Sequence, residues 1–192
     1  MGKKLPRSFY QRPTIEVARE LLGKRLVRVR NGRRLSGIIV ETEAYLGVKD
    51  AAAHTYGGHR SPRNEAMYGD GGHAYVYFIY GMHFCLNSVT RRANQPEAVL
   101  IRALEPSEGI ELMRVFRKVK KDRDLANGPG KLCQALQIKR SCNGVDLTGD
   151  ELFIEDAGID VKRSQITAGP RIGVDYAGAA AKWPLRFLIK RR

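Results

Sequence analysis

IIVETEAYLGVKDAAAHTYGGHRSPRNEAMYGDGGHAYVYFIYGMHFCLNS, residues 38–88, is the stretch from which the fold is read. Both of its ends are strand-like, and residues 46–73 between them form a loop rich in Gly, Asn and Arg. At the first end the side chains alternate. A strand from about Leu35 to Tyr45 would turn Ile38, Val40, Thr42 and Ala44 toward a core, and Glu41, Glu43 and Tyr45 toward water or a polar cleft. At the second end, His73 to Tyr80 reads as a strand of unusual aromatic content. Tyr75 and Tyr77 share one of its faces, and Phe78 and Tyr80 share the other. Gly81 breaks the run and Met82 to Val89 resumes it. Phe78 and Phe84 suit a packed core. Tyrosines are less comfortable there, because each buried hydroxyl needs a partner. A loop as long as 46–73 inside a compact domain is usually functional.

Outward from this stretch, the N-terminal side begins with a basic segment, residues 1–12, expected to be extended. Thr14 is placed to cap a helix whose apolar face holds Ile15, Ala18 and Leu22, and which Gly23 ends. Leu26, Val27 and Val29 make a short strand, and Asn31-Gly32 is a strong hairpin signal because both positions tolerate positive φ. On the C-terminal side, Ala98 to Leu104 reads as a buried strand with Arg102 alone among apolar residues. Such an arginine stands at an exposed strand end or reaches into a polar site. Ser107 to Val119 is patterned as an amphipathic helix. Gly-Pro-Gly-Lys at 128–131 opens a second helical piece and could offer backbone N–H groups to a phosphate. Leu152 to Ile154, residues 171–174 and residues 184–189 read as short strands before a basic end, Lys190-Arg191-Arg192. No internal repeat or linker divides the chain, so one domain spanning 1–192 is expected.

Composition narrows the function. Of 192 residues, 34 are Lys or Arg against 20 Asp or Glu, a formal net charge of +14. Charge of that size favours polyanionic partners. Cys85, Cys133 and Cys142 are widely spaced and form no CxxC, which suits a reducing compartment better than a disulfide framework. No apolar run approaches the roughly 20 residues that span a bilayer, and the N-terminus lacks the apolar segment of a signal peptide. A cytoplasmic protein with no membrane partner is expected, associated with the nucleoid if the source is bacterial.

Three chemistries can be weighed on the residues alone. His54, His59, His73 and His83 lie close in sequence, but they form no HExxH and lack cysteine support, so no metal site and no cofactor are expected. No local motif supports a nucleophilic Ser or Cys. Carboxylate chemistry fits better. Hydrolysis of a glycosidic bond needs a group that deprotonates water and stabilises positive charge on the sugar. Glu43, beside Tyr45 on the polar face of its strand, meets that need. Glu41 as a second member would make a two-carboxylate carbohydrase, whereas the charge favours a sugar within a polyanion. A non-catalytic protein that stacks its tyrosines on unpaired bases is the other alternative.

Several runs carry a resemblance: EAYLG at 43–47, AAHTYGG at 52–58, SPRNEAMY at 61–68, AYVYFIYGMHFCLN at 74–87, LIRALEP at 100–106, KLCQAL at 131–136 and PLRF at 184–187. In this order they are similar to the alkyladenine (3-methyladenine) DNA glycosylase family, over nearly the whole chain. The resemblance implies an α+β fold, a single mixed domain with a curved, largely antiparallel β-sheet flanked by helices. It implies a monofunctional enzyme, working as a monomer, that takes alkylated or deaminated purines out of double-stranded DNA and hydrolyses their bond to the sugar. 3-Methyladenine, 7-methylguanine, hypoxanthine and ethenoadenine are the substrates it suggests. By position, Glu43 matches the family's general base and Arg102 a residue that holds the attacking water. Tyr45, His54 and Tyr77 match the pocket walls. Tyr80 matches the side chain that enters the minor groove in place of the flipped nucleotide. Asn87 matches the residue that screens the purine edge where guanine carries its amine. The chain departs from its relatives at 178–183, GAAAKW, where bulkier or acidic residues are usual, and in a longer loop from Arg91 to Glu97.

Overall fold

The structure, a computed structural model, describes residues 2–190. Met1 and the last two residues of the basic end, Arg191 and Arg192, lie outside it. The chain forms an α+β domain. Strands β1 (Arg25–Arg30), β2 (Arg33–Tyr45), β3 (Ala74–Ile79), β4 (His83–Thr90), β5 (Glu97–Glu108), β6 (Leu152–Glu155), β7 (Ile166–Gly169) and β8 (Arg186–Ile189) make one sheet. Its main path runs β3-β4-β5-β2-β1-β6, with β8 between β2 and β7, and every pairing is antiparallel. Helices α1 (Arg7–Tyr10), α2 (Thr14–Glu20), α3 (Ile110–Arg117) and α4 (Pro129–Ala135) complete the fold.

The sheet has two different faces. One carries Ile39, Ala44, Val76, Leu86, Val99, Ile101 and Leu104, which form the main core with Val17, Ala18 and Leu21 of the α2 region, Met113 of α3 and Leu132 of α4. The other carries Glu43, Tyr45, Tyr75, Tyr77, Cys85, Asn87, Leu100 and Arg102. It is covered by the loop 46–73 and by residues 171–182, whose small side chains Ala52, Val174, Ala177 and Ala180 pack together.

Strand β2 holds these faces apart, and here alternation alone misleads. In the first half of the strand the core side is taken by Leu35 and Ile39, while Ile38 and Val40 are only half-buried. In the second half it is taken by Thr42 and Ala44. The parity changes because Ile39 faces Leu104 but Glu41 faces Ala103, which leaves Val40 as an extra residue. The next step compensates: Thr42 faces Ile101, so Arg102 is the extra residue on β5. Paired bulges of this kind re-aim the side chains that follow them. They also fall where β2 changes partner on its other edge, from β1 (Arg25 opposite Ile38) to β8 (Leu188 opposite Glu41).

Four further expectations are corrected. Thr14 does not cap α2. Pro13 holds that position without a side-chain bond, and the Thr14 hydroxyl is buried against Thr90 and Glu97. The basic N-terminus is not wholly extended, since Arg7–Tyr10 is helical and seats Tyr10 in the core. Residues 107 and 108 continue β5, and α3 starts only after Gly109, whose φ of 71° breaks the strand. Residues 171–174 are an irregular segment, not a strand: the Ile172 N–H goes to the Glu43 side chain instead of to a neighbouring strand, and Gly173 turns the chain with a φ of 73°.

Candidate active site

A cavity of about 440 Å³ opens on the second face of the sheet. Its floor is built in rows by strand register: Tyr75 opposite Asn87 and Asn87 opposite Leu100, with Tyr77 opposite Cys85 and Tyr45 opposite Ala98 beside them; Glu43, opposite Leu100, continues the first row out of the cavity. The loop adds His54, Ala52 and Met67, the C-terminal segment adds Ile172, Val174 and Tyr176, and Gly128–Lys131 closes the rim near His83. Volumes of several hundred Å³ with mostly apolar walls suit a small flat ligand.

Glu43 has no exposed surface. It stands behind the cavity wall formed by Tyr45, Arg102 and Ile172, and both oxygens are held. Oε2 accepts from the Tyr45 hydroxyl at 2.9 Å and Oε1 from the Ile172 backbone N–H at 2.8 Å. Arg102 Nη1 lies 3.3 Å from Oε1. Burial pushes the Glu43 pKa up, against the opposing pull of Arg102, the Ile172 N–H and the Tyr45 hydroxyl. A carboxylate so placed gains basicity while keeping its donors aligned.

Glu41 has a different setting. Arg102 Nε donates to it at 2.9 Å and Arg186 Nη1 lies 3.2 Å away. It does not line the cavity, so Glu41 and Glu43 do not flank one ligand as the two carboxylates of a carbohydrase would. Arg102 thus spans both carboxylates and reaches the cavity wall, the second of the two settings open to a lone arginine in its strand.

The other expected residues also converge. His54 Nδ1 shares a hydrogen bond of 2.8 Å with the Tyr75 hydroxyl, and its ring meets Tyr77 edge-on with centroids 4.6 Å apart. Burial, with Arg63 and His59 adding to it, lowers the His54 pKa, so the imidazole is neutral near pH 7. Tyr75 is pushed up to about 12 by burial. Asn87 is buried, its amide donating to the Tyr75 carbonyl at 3.1 Å. Tyr80 is not on a strand face. It occupies the β3–β4 hairpin tip with φ 54°, followed by Gly81 at 66°, and is 79% exposed at the cavity mouth. The four histidines do not meet: His73 bonds the Asp70 carbonyl and His59 is exposed. Among the described residues no group of three or more His, Cys, Asp or Glu is placed to hold a metal ion.

Sequence reading missed the C-terminal contribution. The N–H of Ile172 on Glu43 and the buried ion pair Asp50–Arg171 beneath Tyr45 have no local signature. The apolar pattern of residues 171–174 suggested a strand instead.

The fold and the site thus join an antiparallel sheet to a buried carboxylate behind an aromatic cavity, and the comparisons place this arrangement in a class of hydrolases. Residues 8–192 match the methylpurine-DNA glycosylase family, and the chain belongs to it. It is a DNA glycosylase, a hydrolase of N-glycosyl bonds, acting in DNA repair. A relative in Clostridium acetobutylicum, named 3-methyladenine DNA glycosylase, is 53% identical over 97% of this chain and 94% of its own length. Another of that name in Desulfitobacterium hafniense is 48% identical over 98% of this chain and 96% of its own. A third in Bacillus cereus is 51% identical over 95% of this chain and 93% of its own. Among the described residues no helix is long and apolar enough to cross a membrane.

Proposed function

We propose that the whole chain acts as one catalytic domain that turns alkylated or deaminated purine nucleotides out of duplex DNA into this cavity and hydrolyses their glycosidic bond. The observation that carries this reading is Glu43, a fully buried carboxylate with a raised pKa, one side chain behind an aromatic cavity. Glu43 takes a proton from water, the water oxygen bonds to C1′, and the C1′–N bond breaks with its electron pair moving to the base. In 3-methyladenine and 7-methylguanine the base is cationic and leaves neutral. Hypoxanthine and ethenoadenine depend more on the pocket. Arg102 steadies Glu43 and the water. The rings of Tyr45, Tyr77 and His54 enclose the base, and electron-rich phenols favour cationic purines. Asn87 excludes a guanine amine. Tyr80 enters the duplex and offsets part of the few kcal/mol that unstacking costs. The relatives' names favour 3-methyladenine among the substrates. No cofactor takes part, the enzyme works as a monomer in the cytoplasm at the nucleoid, and damaged double-stranded DNA is its partner.

The test is Glu43→Gln, assayed for base release from methylated duplex DNA and from duplexes carrying a single hypoxanthine or ethenoadenine. General-base loss is expected to slow release by about 10²–10⁴-fold, with binding to lesion DNA retained. Turnover at the wild-type rate would refute the role of Glu43.

A further inference from the structure

Arg171 and Asp50 form an ion pair in which neither side chain has any exposed surface. Arg171 Nη2 donates to Asp50 Oδ1 at 2.8 Å, and Nη1 reaches Oδ2. The guanidinium also donates to the Ala44 carbonyl at 3.0 Å and the Ala180 carbonyl at 3.2 Å, and its carbon lies 4.7 Å from the centroid of the Tyr45 ring. Asp50 accepts from the backbone N–H groups of Leu46 and Ala52, each at 3.0 Å, and so pins the turn that leads to His54.

A buried pair is by itself weak evidence of anything beyond packing, since desolvation cancels much of its attraction. The direction of this one is informative. Glu43 has three polar partners. Tyr45 is touched by Arg171 through its ring. Ile172 is joined to Arg171 through one peptide bond. Only Arg102 stands apart, anchored on β5 by Glu41.

We infer that Arg171, locked by Asp50, is a positioning residue that aims the Tyr45 hydroxyl and the Ile172 N–H at Glu43. The inference rests on the reading of Glu43 as general base. Hydrogen bonds to an ionised carboxylate favour its charged form, so slackening two of them raises its pKa. The charged and titratable groups around Glu43 are Glu41 and Tyr45 on β2, Arg102 on β5, Cys85 on β4, Arg186 on β8 and Arg171 itself. Of the two donors that Arg171 controls, one is a tyrosine held protonated by burial and the other an amide, so neither titrates in the working range.

The test is the pH dependence of single-turnover base release from hypoxanthine-containing duplex. Arg171→Met alone would strand Asp50 as a buried charge, so it is combined with Asp50→Asn, which removes both charges together. This folded double variant should release base about tenfold or more slowly near pH 6, with its acid limb moved to higher pH and its affinity for lesion DNA within about threefold of wild type, a difference of well under 1.4 kcal/mol. Arg171→Lys keeps a charge beside Asp50 but lacks the flat guanidinium that stacks on Tyr45. It should shift the limb in the same direction by less, and it remains informative if the double variant does not fold. Tyr45→Phe, which deletes one of the two donors, should move the limb the same way.

A wild-type rate and acid limb in the folded double variant, or in Arg171→Lys if that alone folds, would overturn the inference. Glu43→Gln separates the two levels. If it retains the acid limb, the general-base reading fails. If it abolishes the limb while the Arg171 variants leave it in place, only the role of Arg171 fails.

Discussion

The wall behind the cavity and the hairpin tip at its mouth are built on opposite principles. Around Glu43 the supports are chained to one another: Arg102 is held by Glu41, Tyr45 by Arg171, Arg171 by Asp50, and Asp50 by two backbone N–H groups, with Glu43, Asp50 and Arg171 themselves buried. At the tip, Tyr80 and Met82 are 79% and 68% exposed, and Tyr80 sits in the left-handed region with only the turn to hold it. The difference follows from the two tasks. A general base must stay within a fraction of an ångström of its water, which needs redundant contacts. A side chain that enters a duplex must leave solvent for DNA, so contacts with its own protein would have to be broken first.

The contrast can be broken by removing one support from each region. Asp50→Ala leaves Arg171 buried and unpaired, and should cost about 3–5 kcal/mol in urea unfolding. A loss under ~1 kcal/mol would show that the wall is less tightly held than its contacts imply. Tyr80→Ala should leave stability within ~0.5 kcal/mol. It should still slow release from duplex lesions by about tenfold or more, because unstacking costs a few kcal/mol that the ring no longer offsets. Lesions in single-stranded DNA should be affected less. Equal losses on both substrates would place Tyr80 in chemistry instead of in the duplex.

A pH comparison sharpens the same contrast. The folded-state pKa of Glu43 is raised, so the native state holds that proton more tightly than the unfolded chain. Stability from this site is therefore greatest at low pH and declines as pH rises from the ordinary carboxylate range through the raised value. Glu43→Gln does not titrate. Its melting temperature relative to wild type should rise across that window, and a gap independent of pH would contradict the raised pKa. The smallest effect belongs to Tyr80→Gly. A left-handed φ costs a non-glycine residue about 1 kcal/mol or more, so glycine at the tip should leave stability equal or slightly higher in thermal melts while release from duplex DNA falls.

Much of the site was legible before any coordinates. Asn31-Gly32 closes the β1–β2 hairpin as expected, with Arg30 opposite Arg33. The polar face Glu41, Glu43 and Tyr45 and the shared face of Tyr75 and Tyr77 follow from a period of two, and Tyr45, Tyr75 and Tyr77 line the cavity. Other features lacked a local cause. Alternation predicted Ile38 and Val40 in the core, but the bulge at Val40 exchanged them for Leu35 and Ile39. Tyr80 was expected on the strand face opposite Tyr77, whereas the turn, not the pleat, decides where it points. Thr14 had the residue type of a cap and is used instead as a buried partner of Glu97.

The sequence by itself determined the elements that repeat: strands of period two, the hairpin, the aromatic run and the charge that suits a polyanion. These depend on near neighbours in the chain, so their pattern is written locally. The tertiary structure alone decided that Val40 and Arg102 bulge on successive steps of the β2–β5 ladder, that Arg171 and Asp50 meet beneath the Tyr45 ring, and that an amide at 172 faces a carboxylate at 43. Those contacts join residues more than a hundred positions apart, or depend on a change of strand partner. Their energy comes from burial and pairing that exist only once the sheet has closed over them.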